Sequence, residues 1–397
     1  MASVGSPPRK KARVQQTREY ASFAEVARLI ASKKRIVVLA GAGISVSCGI
    51  PDFRSRNGIY SMVKDLDSCS ALPDPQCIFD IEYFKDDPRP FYELARRILF
   101  AGPKSEIGVS KTKVQPSKTH RFISLLEKHK KLLRCYTQNI DGLERVSGVS
   151  KTKVRYCHGS MESAKCLKCS FRVTREELET MLLKDDVPLC TKCGETMKPG
   201  ITFFGEAISK NVSKSLSADR DKVDLLLVIG TSLKVSPMDS ILQFFPEHIP
   251  QVLINKTHVS PRQKISEGFD IELIGNADSV VQSMLDHDIF LSKGKSSGKT
   301  ARVEPPKLGL YGNVWLFEGA DRAEVERSME ERLTNHANAK MVATEVITCD
   351  CCGQQIDKKG GGGLCCNSCF GFDTCAACED GRTKHLKHFP SHSFVSI

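Results

Sequence analysis

No apolar run in this sequence approaches the ~18 residues needed to cross a bilayer as a helix, so no membrane partner is expected. The opening residues, MASVGSPPRKKARV, lack the apolar core of a secretory signal. Without that signal, 17 cysteines do not read as a disulfide framework. Tryptophan occurs once, and no basic motif is interleaved with aromatics. The net charge of +11 therefore suits a polyanionic neighbourhood without establishing contact with nucleic acid. A glycine is also missing. The stretch IVVLAGAGISVSC opens like a dinucleotide-binding loop with Gly41 and Gly43, but Val46 stands where the usual fingerprint has its third glycine. That disfavours a hydride-transferring oxidoreductase.

What is present points to an α/β protein. Five short runs rich in Val, Ile or Leu read as buried parallel strands: 35–40, 131–137, 223–229, 250–255 and 270–274. Amphipathic helices are expected at 21–34, 116–130 and 276–286. This alternation predicts a doubly wound parallel sheet of Rossmann type. Each run ends in small or polar residues: GAGIS, QNID, GTS, NK and GNAD. Ligands sit beyond the carboxyl ends of strands in such sheets, so these ends sketch one continuous site. Two regions, 56–105 and 155–205, break the rhythm and read as insertions. The heptapeptide GVSKTKV occurs at 108–114 and 148–154 and reads as two basic surface loops. Residues 291–308 read as a linker, and Val325, Met329 and Leu333 mark one stripe on a charged helix.

Three motifs carry chemistry. Cys166 and Cys169, then twenty residues, then Cys190 and Cys193, have the spacing of a tetrahedral zinc site. Four thiolates leave no coordination position for a catalytic water, so this zinc is expected to be structural. At the strand ends, Gly41 and Gly43 permit close backbone approach to a pyrophosphate. Gln138, Asn139 and Asp141 can bond ribose hydroxyls or a carboxamide. Gly230, Thr231 and Ser232 offer donors to phosphate, and Asn255 could take an adenosine ribose. Lastly, His158 lies between the nucleotide domain and the metal module, and its ordinary pKa suits a general base near neutrality.

In combination, GAGIS, GIPDFRS, TQNIDGLE, HGS, the paired CxxC knuckles, PGITFFGE, GTSLKVSP and the IN strand end make residues 20–290 resemble a sirtuin, an NAD-dependent protein-lysine deacylase. The resemblance implies that NAD is consumed: the nicotinamide–ribose bond breaks, and nicotinamide, free lysine and an acetylated ADP-ribose are released. It implies that Ala42, Ser45, Asp52, Phe53 and Arg54 line the NAD loop, the last three on a lid. Gln138, Asn139, Ile140 and Asp141 would surround the nicotinamide and its ribose. His158 would be the general base, with Asn139 and Asp141 as its catalytic partners. Phe203 to Glu206 would edge the acyl-lysine channel. Thr231, Ser232, Asn255 and Lys256 would hold phosphate and adenosine, and Asn276 and Ala277 would meet the adenine.

The C-terminal residues resemble a ZZ-type zinc finger with two ions in a cross-brace. Cys349, Cys352, Cys375 and Cys378 would take one ion; Cys366, Cys369, His388 and His392 would take the other. Such a unit has few apolar residues and needs metal to fold. The expected organisation is a disordered basic tail (1–20), a catalytic domain (21–290) with its zinc module at about 155–205, a linker and helix (291–345), and the finger (346–397). Arg9, Lys10, Lys11 and Arg13 form a candidate nuclear import cluster. Together these features point to a nuclear, fungal-type member whose substrate is an acetylated protein, histones foremost, and whose finger binds a histone tail or other peptide. An inactive NAD or ADP-ribose sensor and a protein ADP-ribosyltransferase stay open as alternatives.

Overall fold

The five apolar runs form strands because each is short, β-branched or leucine-rich, and bounded by glycine or polar residues. The structure, a computed structural model, describes residues 19–69, 72, 74–97, 114–184, 186–207, 209–235, 241–246, 248–259, 269–287, 290, 304–308 and 312–342, together with five short strands beyond. By contact, the chain divides into two units, Met1–Val325 and Glu326–Ile397.

In chain order the first unit holds α1 (Phe23–Ser32), β1 (Ile36–Ala40), α2 (Ile59–Met62), α3 (Ile81–Asp86), α4 (Arg89–Ala95), α5 (Lys118–Lys128) and β2 (Leu132–Thr137). Next come α6 (Leu143–Val146), β3 (Val154–Tyr156), β4 (Gly159–Cys166), β5 (Arg172–Thr174), α7 (Arg175–Leu182) and β6 (Met197–Ile201). Then follow α8 (Lys210–Asp219), β7 (Leu225–Ile229), α9 (Ile241–Phe244), β8 (Gln251–Asn255), β9 (Ile271–Ile274), α10 (Ala277–Asp286) and β10 (Val314–Leu316). A 21-residue helix, α11 (Arg322–Val342), runs on from there and answers to the expected charged helix.

The main sheet has seven strands in the order β10-β9-β8-β7-β1-β2-β3, every pairing parallel. Ile36, Val38 and Ala40 face a core shared with α1, α5 and α10, while Val37 and Leu39 point the other way and are equally buried. On that second face Asp219 of α8 receives hydrogen bonds from Arg134 and Tyr136 of β2. Both faces are covered, which is why the strand runs read as continuous rather than alternating. The order reverses between β1 and β7, the topological switch point of a Rossmann sheet.

Two strands of this sheet escaped the sequence reading. β3 is three residues long and begins with the last residue of the second GVSKTKV copy. That copy is not simply a surface loop: Val149 and Val154 are buried, and the Lys153 ammonium donates to the Leu132 carbonyl. Of the first copy only Val114 lies within the described residues. β10 lies just beyond the stretch whose composition reads as a linker. Its Trp315 is buried in the core, and residues 304–308 and 312–318 strap the edge of the sheet. Glu304 caps the amino end of α1 by accepting the Phe23 and Ala24 N–H groups, where a carboxylate is favoured by the helix dipole.

The zinc-module region forms its own antiparallel sheet in the order β5-β4-β6, packed with α7. In the second unit, Ile347–Thr348 pairs antiparallel with Gln355–Ile356, and Gly363–Cys366 lies between Asp373–Cys375 and Phe394–Ser396. The side chains of all eight expected finger ligands (Cys349, Cys352, Cys366, Cys369, Cys375, Cys378, His388 and His392) lie outside the described residues. So do the four basic residues of the N-terminal cluster. Among the described residues no helix is long and apolar enough to cross a membrane.

Candidate NAD and acyl-lysine site

Hydrogen bonds chain the carboxyl ends of five strands into a shelf. The Gln138 N–H donates to the Ala40 carbonyl, Gly41 to Ile229, Gly230 to Ile254, and Gly275 to Asn255, each at 2.8–2.9 Å. This brings Gly41, Gln138, Gly230, Asn255 and Asn276 into one row, as five consecutive polar strand ends predicted.

The glycines also have a packing task beside the one expected. A Cβ on Gly41 would lie 2.6 Å from the Gly230 carbonyl oxygen, and one on Gly43 would lie 2.7 Å from the Gly230 Cα. They are required first for the packing of one strand-end loop on another. Gly230 itself has φ +63, a region that favours glycine. The missing third glycine is explained locally. After Gly41 the chain makes two short 3-10 turns, Ala42–Ile44 and Val46–Cys48, rather than a helix packed along β1. Val46 is therefore 49% exposed and no close helix–strand contact needs a glycine there.

Side chains above the shelf lock one another. The Asn139 amide donates to the Gly41 carbonyl and to Ser45 Oγ, both at 3.2 Å. Ser45 Oγ donates to Asp141 Oδ2 at 2.7 Å, and the Leu143 N–H donates to Asp141 Oδ1. Gln138 donates to Thr231 Oγ1 at 2.9 Å. Ser45, Asn139 and Asp141 are buried yet line an open cavity together with Ala42, Phe53 and Ile140. Its apolar wall is completed by Phe79, Phe91 and Leu94 from the irregular 56–105 region. Sequence reading missed that wall, because those residues follow no motif and meet the loop only through folding.

On the loop before α2, Asp52 Oδ1 accepts the Arg54 and Ser55 N–H groups, so this carboxylate shapes its own turn. The Phe53 ring contacts Tyr60 and Phe79, and the Arg54 guanidinium lies over Tyr60. Ser232 is exposed, and Asn255 Nδ2 donates to the Thr257 carbonyl. Asn276 stands at the N-cap position of α10 without a side-chain capping bond, and its N–H donates to the Glu318 carbonyl of the strap. Lys256 and Ala277 adjoin these two.

His158 lies just past β3, where its carbonyl accepts the Thr202 N–H at 2.7 Å. Burial of the ring pushes its pKa below the ordinary value, which keeps the imidazole neutral at neutral pH. Downstream, Phe203 is buried against Phe84 and Phe91, whereas Phe204 is 42% exposed. The Lys198 ammonium, 2.9 Å from Glu206, and the Glu206 carboxylate, which accepts the Phe203 N–H, hold that loop.

The four thiols of Cys166, Cys169, Cys190 and Cys193 lie within 4.8 Å of one another, the convergence a tetrahedral zinc needs. Left-handed residues follow each knuckle, Ser170 with φ +63 and Gly194 with φ +74.

Comparison with known proteins agrees with this geometry. Residues 41–237 match the Sir2 family. Sirtuin-1 of Rattus norvegicus, an NAD-dependent protein deacetylase, is 42% identical over 286 residues, which are 71% of this chain and 47% of that protein. The sirtuin-1 of Homo sapiens is also 42% identical, over 71% of this chain and 35% of its own length. The NAD-dependent histone deacetylase SIR2 of Candida glabrata is 37% identical over 63% of this chain and 52% of its own. The chain thus spans about half or less of the length of these relatives. A solved Sir2 structure, described with a deacetylated p53 peptide and 3'-O-acetyl ADP-ribose, superposes with a TM-score of 0.57 at 26% identity, covering 68% of this chain and all of that one. It is the Sir2 family that residues 41–237 of this chain resemble.

Proposed function

We propose that this protein is an NAD-dependent protein-lysine deacetylase that acts on acetylated proteins, histones foremost. The observation that carries the reading is the Ser45–Asn139–Asp141 hydrogen-bonded set, buried at the switch point and lining the cavity. When bound, NAD supplies the nicotinamide–ribose bond whose cleavage drives acetyl transfer and yields nicotinamide, free lysine and O-acetyl-ADP-ribose.

The chain's own residues have separable tasks in this reading. Gly230, Thr231 and the loop at Gly41–Gly43 cradle phosphate with backbone N–H groups and a hydroxyl. Asn255, Lys256, Asn276 and Ala277 hold the adenosine end. Ser45, Asn139 and Asp141 orient the nicotinamide ribose with groups already fixed by one another. His158, kept neutral by burial, accepts a proton from a ribose hydroxyl. Asp52, Phe53 and Arg54, with the apolar wall of Phe79 and Phe91, exclude water from a centre that would otherwise be hydrolysed. Phe203 and Phe204 edge the acyl-lysine channel. Cys166, Cys169, Cys190 and Cys193 hold one structural Zn2+.

We further propose that the C-terminal cysteines and histidines bind two zinc ions as a ZZ-type finger with a peptide ligand, and that the N-terminal basic cluster directs the protein to the nucleus. Fungal affiliation is not part of this proposal, since animal relatives match at 42% and the fungal one at 37%.

One incubation tests the activity. With NAD and an acetylated histone peptide, nicotinamide and O-acetyl-ADP-ribose are expected in equal amounts. NADH would indicate a dehydrogenase, ADP-ribose attached to protein a transferase, and no product a sensor. Three zinc ions per chain are expected; one ion would remove the finger.

A further inference from the structure

Behind Asp141 lies a cluster that the reading above leaves without a task. A ring nitrogen of His120 and a carboxyl oxygen from each of Asp141 and Glu144 lie within 4.8 Å of one another. His120 and Glu144 are fully buried. His120 Nε2 and both Glu144 carboxyl oxygens have no hydrogen bond of normal geometry, an uncommon condition for buried polar atoms.

The proton positions follow from the neighbours. The Ser117 N–H faces His120 Nδ1 at 3.3 Å and the Ser117 hydroxyl lies 2.7 Å from it, an arrangement that suits Nδ1 as the acceptor. The imidazole is then neutral with its proton on Nε2, and burial favours that neutral form. A Glu144 carboxylate in the same place would be a second buried negative charge beside Asp141. Among the described residues the groups that face it carry no positive charge: Cys135 and Thr137 from β2, Tyr156 and Cys157 from the end of β3, and His120 from α5, while the neighbouring Arg145 acts on Tyr156. Asp278 of α10 adds further negative potential at His120. An unpaired buried carboxylate is costly enough to take up a proton instead.

We propose that Glu144 is a positioning residue for Asp141. It stays protonated, and with neutral His120 it leaves the cluster a single negative charge, carried by Asp141 and held toward the cavity by Ser45 and Leu143. The idea rests on the deacetylase reading, in which Asp141 helps to orient the nicotinamide ribose. Loss of the Glu144 proton would set two carboxylates against each other and release Asp141 from that position. Burial and the Asp141 charge push the Glu144 carboxyl up to about 8, with the Thr137 hydroxyl offsetting this only in part, so the release falls in the mildly alkaline range.

The experiment uses the full chain and Glu144→Gln, which keeps the shape and a neutral donor but cannot titrate. Infrared difference spectra of protein labelled with 13C-glutamate should show a protonated carboxylic acid band at pH 7. That band should vanish between pH 7.5 and 9 and be missing from the variant. Over the same range wild-type kcat/KM for NAD should fall roughly tenfold per pH unit, while the variant stays within about threefold of its value at pH 7. NAD affinity by calorimetry should follow the same two courses. No band at pH 7 overturns the proposal, as does a shared alkaline decline in wild type and variant. If the variant does not fold, the wild-type titration decides: loss of the band without loss of NAD affinity overturns it. If neither protein deacetylates, the functional reading fails and the role given to the proton fails with it, while the band still reports where that proton sits.

Discussion

Gly43 donates its N–H to the carbonyl of Gly230 across 2.8 Å, and neither residue has room for a Cβ. This contact joins β1 to β7 at the reversal of strand order. Gly230→Ala should therefore be severe. The added carbon would meet Ile44 N at 2.7 Å, and the backbone has φ +63. A left-handed alanine costs roughly 1–2 kcal/mol and overpacking about 1–3 more. Urea unfolding should show a loss of about 2–5 kcal/mol, and calorimetry a loss of NAD affinity.

His158→Ala should lower NAD-dependent deacetylation by at least ~10²-fold while leaving the zinc content unchanged. Near-normal turnover in that variant would remove His158 as the base. Its pH dependence has a definite sign. Burial lowers the folded pKa below the unfolded value. As pH falls below 6.5 the unfolded chain binds the proton first, so His158 contributes stability at neutral pH that is lost toward its folded pKa. Denaturation midpoints between pH 7 and 5 should fall less in His158→Ala than in wild type, and the wild-type rate should hold down to below pH 6.5.

Cys190→Ser should remove one zinc ion per chain, read by atomic absorption. The β4–β6 pairing beside it holds the Gly159 turn, where a Cβ would lie 2.1 Å from the Gly200 carbonyl oxygen. Loss of the module should thus disorder the segment carrying His158, and deacetylation should fall together with zinc. Zinc loss with full activity would separate the two.

Trp315→Ala should destabilise the protein by about 3–5 kcal/mol, because it empties a buried site in the main core. The same strap accepts the Asn276 N–H at the Glu318 carbonyl and the Ser279 hydroxyl at its carboxylate. NAD affinity should weaken as well, and unchanged affinity in the folded variant would confine the strap to a structural role.

The amino-acid sequence alone determined the parallel α/β class, the five principal strands and the row of polar strand ends. Each of those rests on local pattern: continuous Val, Ile and Leu runs, then Gly, Asn or Thr. The Cys166–Cys193 cluster was legible for the same reason, since CxxC spacing is a local geometric requirement. Only the tertiary structure decided what depends on distant partners. Glu304 reaches back to cap α1, Trp315 completes a core begun at Phe23, and Phe79 and Phe91 wall a cavity opened by a loop some thirty residues earlier. It also added a packing task to Gly41 and Gly43, which make room for Gly230. Glu144 shows the difference most plainly. In the sequence it is one more charge on a short helix; in the fold it is sealed beside Asp141, and burial decides whether it carries a charge at all.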